Sequence, residues 1–250
     1  MVNLQKLISW LKLICNIMKN VSRLFLVLLA ICSLQLTALA QDMMPLIKKV
    51  KAKLDLVNDY TASGSMKTDV AFIKAPIGKV TVYYKKPAKF KLKKDGGISI
   101  LPKGGISVNM SNVLSEKDFM ALSAGKQMVG SFMTTVVKLI PTSESSDIIL
   151  STLYIDETDN VIRKAVTTTK ENGTYEIEMS YGKYLAYGLP NKMTFSFNTK
   201  DYKLPKGITM DFGEEDRKTK DAAKNKKGKV EITYSSYTIN KGVSDAVFSN

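Results

Sequence analysis

The chain has 250 residues, carries 37 Lys and Arg against 23 Asp and Glu, and has a formal net charge of +14 with no histidine. This length allows one large β domain or two small ones with a substantial buried core, and we expect one. Because histidine is absent, a Ser-His-Asp triad is excluded.

Residues 1–40 are typical of a secretion signal. Lys19 and Arg23 precede the apolar run 24–30, and the segment ends in Ala38-Leu39-Ala40, a small-x-small cleavage pattern. We therefore expect export of the chain and cleavage after Ala40. The basic stretch upstream is long for a signal, which makes Met18 a candidate for the true start.

Two other features of this segment leave alternatives open. Residues 4–17 are a candidate second membrane element, although the apolar core of the segment is short for a membrane span. Cys32 invites a lipid-anchor interpretation, but lipoprotein signals favour a small residue before the modified cysteine, and Ile31 stands there. We prefer a soluble export product.

Removal of the signal changes the chemistry that the chain can offer. Both cysteines, the tryptophan and four positive charges are lost with no acidic residue, so the net charge falls from +14 to +10. The remaining chain then has no disulfide, no Cys nucleophile and no Cys/His zinc site. Its cations are almost all lysine, with Arg163 and Arg217 as the exceptions, which argues against a nucleic-acid partner. A lysine surface is typical of solubility, or of contact with an anionic membrane or an acidic protein.

The first element predicted after the signal is an amphipathic helix from Asp42 to about Tyr60. Its apolar residues recur at spacings of three and four, with lysines between them and Pro45 in the first turn. From Tyr60 the period changes to two, and strands are predicted at 62–72, at 79–84 and from 90 onward.

A local near-repeat follows these strands. Gly96-Gly97-Ile98-Ser99 is echoed by Gly104-Gly105-Ile106-Ser107. Because no Gly-Lys-Ser/Thr follows, the paired glycines predict hairpin turns rather than a phosphate loop.

A helical insertion is predicted next, over Ser115 to about Met133, with a break near Gly125. Ser115-Glu116-Lys117-Asp118 fits a capping-box template with Asp in the Glu/Gln place, and apolar residues follow it. Methionine is concentrated here, which is typical either of a surface that deforms around apolar partners or of ordinary core packing. The methionines are Met110, Met120, Met128 and Met133.

Strands resume at 134–140 and 148–155, and an acidic turn follows at 156–160. The turn has four oxygen acceptors, but the glycine and terminal glutamate of an EF-hand loop are missing. A solvated turn is therefore expected rather than a calcium site. No metal and no cofactor are predicted.

The central feature is an antiparallel meander within residues 147–197. Asn172-Gly173 readily supplies the positive φ angles of a tight hairpin turn between strands at 161–170 and 173–181. Alternation places one apolar face on this meander, and after Pro190 the same pattern returns. The charged stretch 214–229 is predicted as a long hairpin tip, and a final strand begins at Val230.

Together these elements predict a mostly β (α+β) fold. We expect a half-open antiparallel β-barrel of about 9–11 strands, with an N-terminal helix and a helical lid insertion. It forms a single domain over residues 41–250.

The order of several short motifs resembles the LolA/LolB superfamily of periplasmic lipoprotein-localisation factors. Lys86-Pro87-Ala88-Lys89-Phe90 is similar to the family's basic-Pro-x-basic-Phe segment, and 153–156 with 161–164 to its Ile-Asp, turn, Ile hairpin. Residues 181–193 resemble its Tyr-x-x-Tyr … Gly-x-x-Leu-Pro pattern, and 237–248 its closing Asn … Phe segment. The family's tryptophan near the proline segment is absent, and the glycine near-repeat is not part of the pattern.

This resemblance implies an unclosed barrel with a helical lid over an apolar cavity. It implies a periplasmic carrier that shelters the acyl chains of lipoproteins, or of related lipids, for transfer to the outer membrane. The implied ligand is an acylated lipoprotein or a lipid. An inner-membrane release complex and an outer-membrane acceptor are further candidate partners. The protein is expected to be a monomer.

Within this scheme we assign two groups of residues. The predicted cavity wall, which we call the wall residues, consists of Tyr84, Phe90, Leu92, Tyr175, Ile177, Met179, Met193, Phe195 and Phe197. The predicted lid consists of Phe119, Met120, Leu122, Met128 and Phe132. For any single wall residue, ordinary core packing is an equal alternative.

Two other functions stay open. An enzyme with a carboxylate pair or a Ser-Lys dyad needs neither histidine nor cysteine, but the acidic residues mostly lie on wet faces or in turns, so no enzymatic activity is predicted. The other is an envelope interaction or stress-sensing module on the same fold, with a packed interior and no transported lipid.

Overall fold

The computed structural model describes residues 42–70, 77–87, 89–95, 119–198 and 227–249, together with residues 10, 12–14 and 17–21. The last group is helical and belongs to a separate unit, Met1–Gln41. Among the residues described, no helix combines the length and the apolar character needed to cross a bilayer. Several predicted segments lie outside this set, namely 71–76, 96–118 and 199–226.

The N-terminal helix, α1, is present but shorter than predicted, at Met44–Leu54. Pro45 lies in its first turn, where the fixed φ of proline suits a helix start. The helix buries Ile47 and Val50. Tyr60, which the periodicity placed at the helix end, instead belongs to the first strand, where it is buried.

The rest of the described chain is an antiparallel sheet, which confirms the mostly β prediction. Its strands are β1 (Asp59–Asp69), β2 (Gly78–Lys85), β3 (Lys89–Lys94), β4 (Phe119–Val129), β5 (Phe132–Pro141), β6 (Ile148–Asp156), β7 (Val161–Thr169), β8 (Gly173–Ser180), β9 (Lys192–Asn198) and β10 (Lys227–Ile239). They are joined in the order β3-β2-β1-β10-β9-β8-β7-β6-β5-β4, so the sheet is not closed. Two short 3-10 helices follow β8 and β10, at Leu185–Tyr187 and Asp245–Val247.

Helix α1 shows that this sheet is curled. Before the helix, Met43 N–H donates to the carbonyl of Ala121 in β4 (3.4 Å), and after it, the carbonyl of Asp55 accepts from Lys86 Nζ beside β2 (2.7 Å). In the sheet order β4 and β2 are eight intervals apart, about 38 Å in a flat sheet. A helix of 11 residues is about 17 Å long, so the two sides of the sheet must approach each other. The fold is therefore a half-open barrel with α1 across it.

Apolar side chains form two clusters on one face of the sheet, which we call the inner face. The helix cluster joins α1 to β4, β5, β6 and β7, and the aromatic cluster joins β1, β2, β8, β9 and β10. Ala165 of the helix cluster lies directly opposite Ile177 of the aromatic cluster, so both clusters share that face. Met179 packs against both.

The helical insertion is wrong from Phe119 onward. The chain forms two strands here, β4 and β5, whose residues pair from Phe119 with Pro141 to Val129 with Phe132. Gly130-Ser131 makes the two-residue turn, and Gly130 has φ +58°, the positive value that such turns require. Gly125, where a helix break was predicted, instead lies in an irregular part of the strand pairing, with φ +86°.

Candidate ligand-binding face

The wall residues of β8 and β9 meet as directly opposed pairs. Strand alternation puts every second side chain on the inner face, and the register brings three such pairs together. The pairs are Tyr175 with Phe197, Ile177 with Phe195, and Met179 with Met193. On the far side of β9, Val230 and Ile232 of β10 continue two of these rows.

The remaining wall residues lie toward the open edge of the sheet. Tyr84 in β2 is opposite Phe90 in the edge strand β3, and Val82 is opposite Leu92. All nine wall residues belong to the aromatic cluster or pack against it. Five of them are buried, whereas Phe90, Leu92, Tyr175 and Met179 are partly buried. The structure thus brings the predicted group together, and its role in lipid binding stays a prediction.

A glycine makes room for one of the aromatic rings. A Cβ added at Gly228 of β10 would lie 2.4 Å from Cζ of Phe197, which is closer than atoms can approach. The ring of Phe197 therefore covers the backbone of β10 at this point, and it lies 5.3 Å from the ring of Phe195.

Tyrosines fill one end of the aromatic cluster. The Tyr237 ring lies 5.4 Å from Tyr60, 5.1 Å from Tyr234 and 4.8 Å from Tyr184. The Tyr237 hydroxyl donates to the carbonyl of Pro190 (2.8 Å). Burial raises the pKa of Tyr60, Tyr234 and Tyr237, so these hydroxyls stay neutral in the folded protein.

A buried arginine joins the tip of the β4–β5 hairpin to the β6–β7 turn. Arg163 donates from Nε (3.1 Å) and Nη2 (2.7 Å) to Asp156, and from Nη2 to Asp159 (2.7 Å). Its guanidinium carbon lies 3.6 Å from the centre of the Phe132 ring. Burial raises the pKa of the nearby Tyr181, although Arg163 acts in the opposite direction. The turn keeps Glu157 and Thr158 exposed, as predicted for a solvated turn, but Asp156 at its start is only 4 % exposed and is anchored by Arg163.

A small pocket lies where the two clusters meet. It is bounded by the end of α1, the β6–β7 turn and the end of β8, including Val50, Ile162, Met179 and Tyr181. Its volume is about 20 Å³, the size of roughly one water molecule. Ligand pockets are typically about 300–1,000 Å³, so this pocket does not hold an acyl chain.

The predicted lid residues do not gather over the wall residues. Phe119 packs against the helix cluster. Met120, Met128 and Phe132 are 54 %, 49 % and 43 % exposed on the hairpin, and Leu122 is partly buried. Within the described ranges, none of the five packs against the aromatic cluster. A covering role for this group stays a prediction, and its helical form is wrong.

The inner face also carries a residue that the sequence analysis missed. Lys94 continues the alternation of Phe90 and Leu92 along β3, and its Nζ is buried. The sequence alone could have identified it, because alternation along Phe90-Lys91-Leu92-Lys93-Lys94 puts Lys94 on the same side of the strand as the two apolar residues.

The chemistry available on this face is that of an apolar surface. It offers aliphatic, methionine and aromatic side chains, which bind by dispersion and by removal of apolar area from water. Within the part of the chain that the structure describes, no three His, Cys, Asp or Glu side chains are grouped so that they could hold a metal ion.

The sequence matches no protein-family model and no curated protein sequence. Among solved structures, the chain is similar to a DUF1329 family protein from Desulfovibrio piger, with 10 % identity and a TM-score of 0.49 over 84 % of this chain and 98 % of that chain. It is also similar to the LolA superfamily protein NE2245 from Nitrosomonas europaea, with 10 % identity and a TM-score of 0.49 over 84 % of this chain and 99 % of that chain. At this identity and TM-score, the similarity is one of fold alone and assigns neither a family nor a function.

Proposed function

We propose that this chain is an exported carrier that shelters acyl chains against its inner face. After cleavage of residues 1–40, it binds an acylated lipoprotein or a related lipid in the periplasm and passes it toward the outer membrane. The observation that carries the proposal is the apolar inner face that holds all nine wall residues, with buried residues of β1 and β10 joining those of β2 and β3 to those of β8 and β9.

The composition of this face suits carriage with release. Each buried methylene is worth about 0.8 kcal/mol, so an acyl chain in water needs an apolar host. A carrier must also release the acyl chain, which favours flexible side chains such as Met179 and Met193 beside the aromatic rings.

Loading requires the face to open. Tyr84, Ile177, Met193, Phe195 and Phe197 are each at most 4 % exposed. The open edge of the sheet is the natural place for this, because β3 has only six residues and, within the described ranges, pairs with β2 alone. An edge strand of this kind separates at lower cost than a central one. Phe90 and Leu92, which lie on it, are the wall residues that a ligand meets first.

The same burial favours a second candidate, an envelope interaction or sensing module with a packed interior. Such a protein needs the inner face as a core and carries no lipid. The two functions differ in what the purified protein contains, so a measurement of lipid content separates them.

The experiment is native mass spectrometry and lipid extraction on protein purified from the cell envelope, with titration of a fluorescent acyl lipid. We expect bound acyl chains in the unaltered protein. Leu92→Glu puts a charge on the inner face at the open edge, and we expect it to weaken acyl binding at least about tenfold. Lys93→Glu is the matched control, because Lys93 is exposed.

A folded protein that contains no lipid and takes up none contradicts the carrier function and favours the packed module. Equal binding by folded Leu92→Glu and Lys93→Glu variants removes the β3 edge from the binding face.

A further inference from the structure

Lys94 is a cation on an otherwise apolar part of the inner face. It is the last residue of β3, lies opposite Val80 in β2, and shares its side of the strand with Phe90 and Leu92. Its Nζ is buried, and among the residues described no acceptor hydrogen-bonds to it.

Other lysines near this edge are paired. Lys85 and Lys89 both contact Asp245, at 3.0 Å and 2.7 Å, and Lys86 contacts Asp55 at 3.3 Å. Burying an ammonium group without a hydrogen-bond or ion-pair partner costs free energy. The stability of the fold therefore does not explain why Lys94 has no partner within the described chain.

A second polar group on the same face is also unsatisfied. Thr68 of β1 is 8 % exposed, and its Oγ1 has no hydrogen-bond partner within the described part of the chain. Thr68 lies two residues beyond Met66, which is buried in the aromatic cluster and opposite Gly78 of β2. The hydroxyl is therefore on the inner face, two residues along β1 from the position opposite Gly78.

Gly78 provides the path that the lysine follows. A Cβ placed on Gly78 would lie 2.8 Å from Cε of Lys94, so any larger residue would displace the side chain. The Lys94 chain thus lies over Gly78, whose partner in β1 is Met66, two residues before Thr68.

We propose that Lys94 and Thr68 bind the anionic group, a phosphate or a carboxylate, of an amphiphile whose acyl chain lies along the wall residues. This inference rests on the proposed carrier function and narrows its ligand to a lipid with a negatively charged head. The ammonium supplies a charge-assisted hydrogen bond and the threonine hydroxyl donates a second one to another oxygen of the same group.

The test compares two amphiphiles with the same chain, palmitoyl lysophosphatidic acid and neutral palmitoylglycerol, together with inorganic phosphate. Their dissociation constants are measured for the unaltered protein and for Lys94→Met, Thr68→Val and the control Lys93→Met. Lys94→Met retains the volume of the chain over Gly78 and removes the unpaired charge, so we expect a fold at least as stable as the original.

We expect the unaltered protein to bind the anionic amphiphile about 10-fold to 100-fold more tightly than the neutral one. Lys94→Met abolishes this preference, Thr68→Val reduces it, and Lys93→Met preserves it. Equal binding of the two amphiphiles by the unaltered protein overturns the head-group site and leaves the carrier function standing. Binding of inorganic phosphate, dependent on Lys94, without binding of either amphiphile shows a free anion as the ligand and overturns the lipid head group. Binding of no probe overturns the head-group site and the carrier function together.

Discussion

At the scale of single residues, Arg163 is a buried charge held by two carboxylates. Its side chain is 6 % exposed, as is that of Asp156, and the side chain of the second carboxylate, Asp159, is 31 % exposed. Asp156 in turn accepts the backbone N–H of Thr158 (3.0 Å), so the ion pair and the turn hold each other in place. A buried pair of this kind adds little net stability while intact, but removal of one partner leaves an unpaired buried charge.

We therefore predict that Arg163→Met lowers the free energy of unfolding by about 3–5 kcal/mol, because the Asp156 carboxylate loses its partner. Lys164→Met is the matched control, since Lys164 pairs with Glu176 at 2.7 Å on a more exposed part of the sheet. It is expected to cost about 1 kcal/mol or less. Urea unfolding at neutral pH gives both values, and similar losses in the two variants contradict the assignment.

The closing motif of the chain also acts through one residue. Asn240 has φ +56°, and its side-chain oxygen accepts the N–H of Asn58 (2.7 Å) while its amide donates to the carbonyl of Leu56 (2.8 Å). These bonds fasten the end of β10 to the turn between α1 and β1. The asparagine of the motif thus has a local structural role, because asparagine tolerates the left-handed conformation and carries both a donor and an acceptor.

At the scale of elements, the β4–β5 hairpin shows where local pattern failed. The capping template and the spacing of apolar residues favour helices, and Gly125 predicts a break between them. The Gly130-Ser131 dipeptide between two apolar stretches was the competing signal, since a glycine followed by serine is a typical two-residue hairpin turn. Strand β5 also pairs with β6, so the hairpin extends the sheet, which a helix in its place could not do.

The Phe132 ring fixes the tip of this hairpin through Arg163, although it is 43 % exposed. We predict that Phe132→Ala increases amide hydrogen exchange at residues 128–133 by about 2-fold to 30-fold, which corresponds to the loss of one cation–π contact. Met133→Ala is the control, because Met133 is 58 % exposed at the same tip. Exchange in β8 and β9 is expected to stay unchanged in both variants. Unaltered exchange at the tip in Phe132→Ala means that the stacking does not hold it.

The success and failure of the sequence analysis have different physical origins. Tyr175, Ile177 and Met179 could be placed on one face because strand alternation depends only on neighbours in sequence. The burial of Asp156 could not, because its partner Arg163 and the covering Phe132 belong to separate strands whose pairing is set by the whole sheet. Strand alternation alone also places Lys94 on the inner face, although it is not among the predicted wall residues.

At the scale of the whole molecule, the question is how tightly the inner face is closed without ligand. The tyrosine end of the aromatic cluster reports on this directly. In the folded protein, burial raises the pKa of Tyr60, Tyr234 and Tyr237 above the ordinary value of 10.0. In the unfolded chain these hydroxyls ionise normally, so the stability that they contribute is complete below pH 10 and is lost as the pH rises further.

We predict cooperative alkaline unfolding, with each of these three tyrosines lowering the free energy of unfolding by about 1.4 kcal/mol per pH unit above its ordinary pKa. Absorbance at 295 nm and far-UV circular dichroism, followed from pH 9 to 12, test this. The buried tyrosinates should appear together with the loss of the β signal. Tyr234→Phe should make the pH dependence shallower by one tyrosine, without loss of stability at pH 7, because its hydroxyl has no partner among the described residues. Ionisation of the buried tyrosines near pH 10 with the sheet intact contradicts a closed inner face, and implies that water already reaches the surface where we place the acyl chain.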